Sequence, residues 1–547
     1  MAEIEHCDVC VIGTGAGGGI AAYELAVTGL TVVSIEQGPL LQEDYFRTEN
    51  PPGSVKDFGI RSHTRWPADP HEAFFGNALF APAEEASAVR ESGSFFQYQI
   101  FAVGGLQNLW NGISLRFSAQ DMRGWPISYD DLAPHYSAVE QLVTVCGTRE
   151  TLANLPDGEY IEPKPLRPVD RLLAKAVTSI GDPHARAIAN RKAINTRVGT
   201  PSSCISTGAC AFGCPVGAVY KFPTRLLPRI AGRSNYALRA NAKVTKLMTS
   251  ADARSVTEVE FLDTRNGSLH RLRAKAVILT AGAVETPRIL FNSATEQDPN
   301  GLGNRGDQLG RRLQDNPKTV LSTSLWRLWG ARRTYDVGYG DPLIVMGQGR
   351  LPDGSTFPFI GHDSQGIPDI PHYLTGLSQF PSFLKLQLAQ MMFHSYVTIG
   401  LFCPGEPAPA NRVRPSRRLD RFGVPQVEID FTSSPRTGQM MVEMERWGKR
   451  VLRKASGTLI HGDSTNNGTG VHYAGTTAMS AAPTDGVVNG QLRCHDLDNL
   501  YICDGSVIPT LPEKHLTLTI MALAHRLSRH VSDTLMRGTV SGNTARG

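Results

Sequence analysis

Apolar positions at the start of the chain fall into two short runs, separated by a glycine turn and a helical stretch. Cys7 to Ile12 is apolar and β-branched, Gly13-Thr14-Gly15-Ala16-Gly17-Gly18 follows directly, and Ala21 to Ala26 has the pattern of a helix. Thr31 to Glu36 gives a second buried strand that ends in a carboxylate about 20 residues after the glycines. The order is strand, tight turn, helix, strand. Farther on, a helix is expected through Tyr136 to Val143, capped by Asp130 or Asp131. Residues 237–262 and 267–280 alternate as strands around a turn at Asn266-Gly267, and the second run closes on the apolar strand Ala276 to Leu279. A further Gly-turn-helix begins there at Gly282, which returns the chain to its first unit.

Residues 318–460 mix alternating strands, of which Val427 to Phe431 is the clearest, with Pro/Gly-rich loops. An amphipathic segment in that region, Phe383 to Tyr396, is expected as a core helix. Residues 471–535 bring back glycine turns and end in a helix from Thr517 to Ser532, and 537–547 reads as a frayed tail. The expected organisation is a nucleotide-binding domain assembled from 1–49, 98–150, 236–317 and 461–536. A Pro/Gly-rich excursion at 50–97 would form a lid or site wall. Residues 151–235 connect, and 318–460 form a substrate domain.

Composition narrows the class of protein. At 547 residues, with 41% hydrophobic and 19% charged residues, the chain is a soluble globular protein of more than one ordinary core. A net charge of +4 gives no case for nucleic acid, and the arginines at 412, 414, 417, 418 and 421 fit a solvated hairpin. No apolar run is long enough to span a bilayer. No secretory signal precedes the first strand, which places the expectation in the cytoplasm. Nine cysteines, several inside apolar strands, argue against a disulfide framework, and Cys7 and Cys10 read as small buried hydrophobes.

The N-terminal pattern carries chemistry. Gly13 permits the turn, Gly15 lets backbone approach a pyrophosphate, and Gly18 lets the helix pack on the strand with its amides facing the phosphates. Glu36 would accept from a ribose diol and repel a 2′-phosphate, which argues against NADP.

Further motifs follow in order: Gly104-Gly105 with Asn108 and Trp110-Asn111-Gly112, Gly282 to Pro287, Leu313-Gln314-Asp315-Asn316-Pro317, and Val471 to Ala524. Together with the N-terminal pattern they resemble the glucose-methanol-choline (GMC) flavoprotein oxidoreductases, from Val9 to about Arg529. The resemblance implies an α/β fold with a discontinuous Rossmann-like FAD-binding domain and an α+β substrate domain with an antiparallel sheet. It implies that Asp504 and Gly505 return beneath the flavin dinucleotide. Some sugar-oxidising relatives carry a flavin-linked histidine where this chain has Leu109, so the FAD is expected to be non-covalent.

Val471 to Met479 and Pro512 to Thr517 resemble the family's catalytic stretches and bring His472 and His515. Removing hydride from a CH–OH carbon requires the hydroxyl proton to leave, and imidazole accepts it at neutral pH. By resemblance His472 is the base and His515 the orienting group, with roles that can be exchanged. Related sugar dehydrogenases often have Asn where His515 stands.

Cys204, Cys210 and Cys214 have the spacing C-x5-C-x3-C-P, which can converge on iron. The segment resembles that of GMC sugar dehydrogenases with a [3Fe-4S] cluster, although Ile205 stands where some of these have a further cysteine. A loop without metal and a zinc site are the other readings, and zinc normally wants four ligands. The expected function is oxidation of a sugar or glycoside CH–OH group, with electrons leaving through the cluster to a cytochrome-type acceptor. A small partner subunit, and with it export to the periplasm, belongs to that expectation. An FAD oxidase without a cluster is the alternative, and the two histidines argue against a catalytically silent flavoprotein.

Overall fold

The computed structural model describes residues 5–41, 86–89, 97–206, 216–331, 340–363 and 395–544, with residues 95, 210, 214, 381, 383, 384, 387, 388 and 391 between them. The excursion at 50–97 therefore lies mostly, and the segment Phe383 to Tyr396 half, outside the described residues.

A seven-stranded sheet is built on β1 (Glu5–Ile12). On one side β1 pairs in parallel with β2 (Val32–Ile35), which pairs in parallel with β4 (Tyr236–Arg239). On the other it pairs in parallel with β7 (Leu269–Leu279), and β15 (Leu500–Ile502) lies parallel to the end of β7. An antiparallel arm, β5 (Ala242–Thr249) and β6 (Val256–Asp263), extends from β7. Burial on both faces explains why Val9 to Ile12 is an unbroken apolar run. Helix α1 (Ala16–Val27) lies on β1 and β2 and packs against α6 (Thr517–Thr544), which in turn packs on α2 (Tyr129–Val143).

Several local expectations are corrected. Helix α1 starts at Ala16, five residues before the stretch Ala21 to Ala26 expected to be helical, because the glycines 17–19 that weaken helix propensity are buried against the rest of the core. The stretch 237–262 is three strands, not one. The chain turns at Asn241, and again at 250–255, where Asp252 accepts from Ser250 Oγ (2.5 Å) and from the Arg254 amide (3.2 Å). The cap of α2 is Ser128: its Oγ accepts from the Asp131 amide while Asp131 accepts from the Ser128 amide, a reciprocal box. The last helix continues to Thr544, past the expected start of the tail.

A second sheet is antiparallel throughout and has six strands. Its order is β14 (Gly457–Thr465), β8 (Lys318–Leu325), β11 (Tyr396–Phe402), β10 (Thr356–Asp363), β9 (Leu343–Arg350) and β3 (Arg186–Ala189). The period of two divides its faces. Leu321, Ile399 and Phe359 bury against α3 (Pro168–Thr178) and α5 (Pro435–Lys454), with Trp447 T-shaped on Phe359 at 5.0 Å. Lys318, Val320, Gly400, Phe402 and His362 point the other way, into a cavity against the first sheet. The arginine-rich stretch forms the hairpin β12 (Arg412–Leu419) and β13 (Pro425–Asp430), where Arg414 pairs with Glu428 and Asp430. No helix among the described residues is long and apolar enough to cross a membrane.

Candidate active site

The cavity has a volume of about 480 Å³ and runs from the glycine turn after β1 to the second sheet. At the glycine end each backbone does a different thing. Gly13 has φ +91°, and a Cβ there would stand 2.7 Å from the Thr280 carbonyl oxygen. At Gly18 a Cβ would stand 2.0 Å from the Gly13 carbonyl oxygen, so close helix–strand packing excludes any side chain. At Gly15 and at Gly282, both lining the cavity, a Cβ would meet nothing within 4 Å.

Glu36 closes β2 and also lines the cavity, accepting from the amide of Thr14 at 3.0 Å and its hydroxyl at 2.6 Å. Burial pushes its carboxyl up to about 7. Asp504 follows β15, where its carboxylate accepts from the Gly282 amide (2.9 Å), Thr286 Oγ1 (2.6 Å) and the Ser506 amide (2.8 Å). It thus ties the last strand to the turn before α4 (Glu285–Asn292). Gly505 lines the wall beside it. Gly105 reaches the wall as well, whereas Gly104 and Asn108 stand behind it. Gly104 donates its amide to Thr14 Oγ1 (3.1 Å), and the Asn108 amide group braces the turn through the carbonyls of Val103 and Gly105.

At the far end His472 and His515 meet as T-shaped rings with centroids 4.5 Å apart, both against Phe402. The motif 313–317 holds them. Asp315, pushed up to about 6 by burial, accepts the amides of Gly470 and His472, both at 2.8 Å. Asn316 donates through Nδ2 to the carbonyls of Cys403 and Pro512, each at 2.8 Å, which fixes its amide so that Oδ1 faces His472 Nδ1 at 2.9 Å. His472 Nδ1 therefore carries the proton, and Nε2 keeps a lone pair. Burial, with His362 and Lys318 nearby, lowers the His472 imidazole to about 3; burial, with His472 and His362 nearby, also holds His515 well below the usual range. Both are neutral at neutral pH, and His515 Nδ1 is buried without a hydrogen-bond partner among the described residues.

Three contributors were not assigned from sequence: Asn316, Lys318 and His362. Asn316 sits in a motif whose Asp-Asn pair before a strand was visible, but its partner lies in a distant loop. Lys318 and His362 occupy alternate positions of strands, and only the sheet shows that they share the cavity face. Lys318 donates to the Thr469 carbonyl at 2.9 Å.

The three loop cysteines lie outside the cavity wall, in a small apolar cluster with Cys146, Ile194 and Val219. Trp110 touches this cluster and lines the cavity, donating Nε1 to the Tyr220 carbonyl at 2.7 Å. The Ser206 amide donates to Cys204 Sγ (3.4 Å) and the Ala218 amide to Cys214 Sγ (3.2 Å). Among the described residues no three His, Cys, Asp or Glu side chains are gathered as a metal ion requires.

Known proteins match over the same regions. The GMC oxidoreductase N-terminal family model matches residues 102–318 and the C-terminal model 407–524. The 6'''-hydroxyparomomycin C oxidase of Streptomyces lividus is 29% identical over 96% of this chain and 92% of its own. The fructose dehydrogenase large subunit of Gluconobacter japonicus is 25% identical over 98% and 99%. Among solved structures, pyridoxine 4-oxidase from Mesorbium loti has a TM-score of 0.62 at 17% identity, covering 96% of this chain and 99% of that one. Formate oxidase has a TM-score of 0.64 at 14% identity, covering 98% and 99%. With both family models matched, and the histidine pair lying inside the C-terminal one, the chain belongs to the GMC oxidoreductases and is an FAD-dependent oxidoreductase acting on CH–OH donors.

Proposed function

We propose that the chain oxidises a CH–OH group of a sugar or glycoside to the carbonyl, with His472 as proton acceptor and His515 orienting the oxygen. The observation that carries this is the pair of neutral imidazoles across the cavity end, one of them with its tautomer fixed by Asn316. The names of the oxidase and dehydrogenase relatives support a sugar or glycoside substrate.

The residues present fit FAD. Backbone without side chains faces the cavity at Gly15 and Gly282, where a Cβ would intrude on the space a dinucleotide needs. Gly13, Gly15, Gly18, Gly105, Asp504 and Gly505 would hold it there, with Gly104 and Asn108 fixing the turn behind. Glu36 would take the ribose hydroxyls. A bound flavin supplies a two-electron acceptor for the hydride of the alcohol carbon. A base as weak as His472 suffices because the hydroxyl becomes strongly acidic as hydride leaves, so the proton is taken during that event. His515, neutral and desolvated, holds the same oxygen, and Phe402 offers an apolar surface to the carbon. The test is anaerobic mixing of holoenzyme with a panel of sugars and glycosides. Bleaching of the flavin absorbance is expected with at least one, and none at all would sink the proposal.

Leu109 lines the cavity and offers no nucleophilic atom. Acid precipitation is therefore expected to leave a colourless pellet and a yellow supernatant; flavin retained in the pellet would show a covalent bond formed elsewhere.

The proposal extends to the cysteine cluster, where Cys204, Cys210 and Cys214 would hold a [3Fe-4S] cluster serving electron export to a cytochrome-type acceptor, with a small partner subunit. Their spacing and the two amide donors to sulfur support this. Among the described residues the three thiols are not gathered as a ready metal site. That arrangement favours the second reading, an FAD oxidase that needs no metal. Iron and acid-labile sulfide measured on protein made under iron-replete, oxygen-protected conditions separate the two. The cluster predicts iron lost in Cys210→Ser, with anaerobic flavin reduction retained. Full turnover with oxygen by iron-free protein would assign the oxidase.

A further inference from the structure

A third histidine stands in the catalytic end of the cavity, and the chemistry above does not use it. His362 lies near the end of β10, is buried, and lines the cavity. Its ring centroid is 5.4 Å from that of His515, and it stacks on Phe402 at 5.6 Å with 22° between planes. The three imidazoles thus surround one phenyl ring, His472 and His515 facing each other and His362 one step along the wall.

One edge of the His362 ring is turned to a buried carboxylate. Asp341 Oδ1 lies 3.4 Å from Nδ1, longer than a good hydrogen bond but with no nearer partner for that nitrogen among the described residues. Asp341 is itself only 2% exposed and is held by Lys192 Nζ at 3.6 Å from its other oxygen. A fixed carboxylate on that side favours the proton on Nδ1, which leaves Nε2 as an acceptor at the edge presented to the cavity. An acceptor beside the reacting pair, with an apolar ring between, suits a second hydroxyl rather than a hydrocarbon chain.

We infer that His362 receives the hydroxyl next to the one being oxidised, so that the site selects substrates with hydroxyls on adjacent carbons. The inference rests on the CH–OH oxidation proposed above. Hydroxyls on neighbouring carbons are about one hydrogen-bond length apart, so one can reach the His472–His515 pair while the other donates to His362. A substrate lacking the second hydroxyl leaves a buried acceptor unpaired, which is how hydroxyl-reading sites reject deoxy analogues.

The test compares trans-1,2-cyclohexanediol with cyclohexanol on the holoenzyme, following anaerobic flavin reduction at varied concentration. The wild type is expected to favour the diol in kcat/KM by at least about tenfold. His362→Phe keeps the stacking on Phe402 and removes the acceptor, and should bring the preference to within about twofold, mainly by raising KM for the diol. His362→Gln, which keeps an acceptor, should retain part of the preference, and serves as the test should the phenylalanine variant fail to load flavin. A preference unchanged in both variants, or an equal fall in kcat on both alcohols, would overturn the assignment. Equal turnover of the two alcohols by the wild type would remove this inference alone. A flavin reduced by neither alcohol nor any sugar would remove the oxidation proposal first.

Discussion

Anaerobic flavin reduction in His472→Ala is expected to be slower than in the wild type by about 10²- to 10⁴-fold, the range lost with a general base. Flavin content should stay near one per chain, because the His472 side chain touches Asn316, Phe402 and His515 rather than the glycine end of the cavity. The pH profile adds a second check. With its imidazole lowered to about 3, chiefly by burial, His472 is unprotonated from pH 5 upward, so the wild-type reduction rate should show no acid limb near 6.5. A limb there that vanished in the variant would mean that the base is more solvated than its place in the cavity indicates.

Stability moves with the same group. The unfolded chain binds a proton at this histidine near pH 6.5 and the folded one only near 3, so His472 removes stability as pH falls across that window. Asp315, raised to about 6, works in reverse, its contribution being present at low pH and lost as pH rises through 6. Near-normal flavin reduction in His472→Ala would end its assignment as base.

Asn316→Leu should lower kcat by about 10- to 10²-fold with KM changed less than about twofold, since the amide acts through His472 and does not bind substrate in this scheme. Three hydrogen bonds go with it: one to Nδ1 of His472 and two to the carbonyls of Cys403 and Pro512. Without the acceptor the imidazole can place its proton on Nε2, where it no longer accepts from the alcohol. Without the donor the loop carrying His515 loses one of its ties to the loop carrying His472, the other running through Gln314. The lost bonds should also cost about 2 to 4 kcal/mol of stability, measurable in denaturant unfolding. A variant that lost stability while kcat held would reduce Asn316 to a structural brace.

How much of this was legible in the sequence depends on how local each cause is. The glycine turn and Glu36 are set by neighbours within one strand–turn–helix unit, and the structure has them facing one cavity. His472 and His515 lie in stretches with recognisable flanks, and the fold brings their rings within 4.5 Å of each other. The roles of Asn316 and His362 are not local: one depends on carbonyls from two other loops, the other on which face of β10 meets Phe402. Sequence alone offers a period of two there but no sign of which face looks into a site. The break at 250–255 was missed for a different reason, since its turn is made by Asp252 and by Ala253 at φ +53°, without glycine or proline to mark it.

The interleaving of the first sheet bears on how the chain folds. Strand β1 is made well before its parallel partner β7, which follows β2, β4, β5 and β6 in the chain, and β15, which leads into Asp504, comes later still. Pairings so distant in sequence demand large loop closures before they return any contact energy, and parallel sheets of this kind form slowly. On a ribosome the turn at Gly13–Gly18 would wait, unpaired on one side, until β7 had emerged, and for the rest of its cavity wall until β15 had. Flavin capture is therefore a late event in biogenesis, and nascent chains stalled before residue 500 should bind chaperones rather than cofactor.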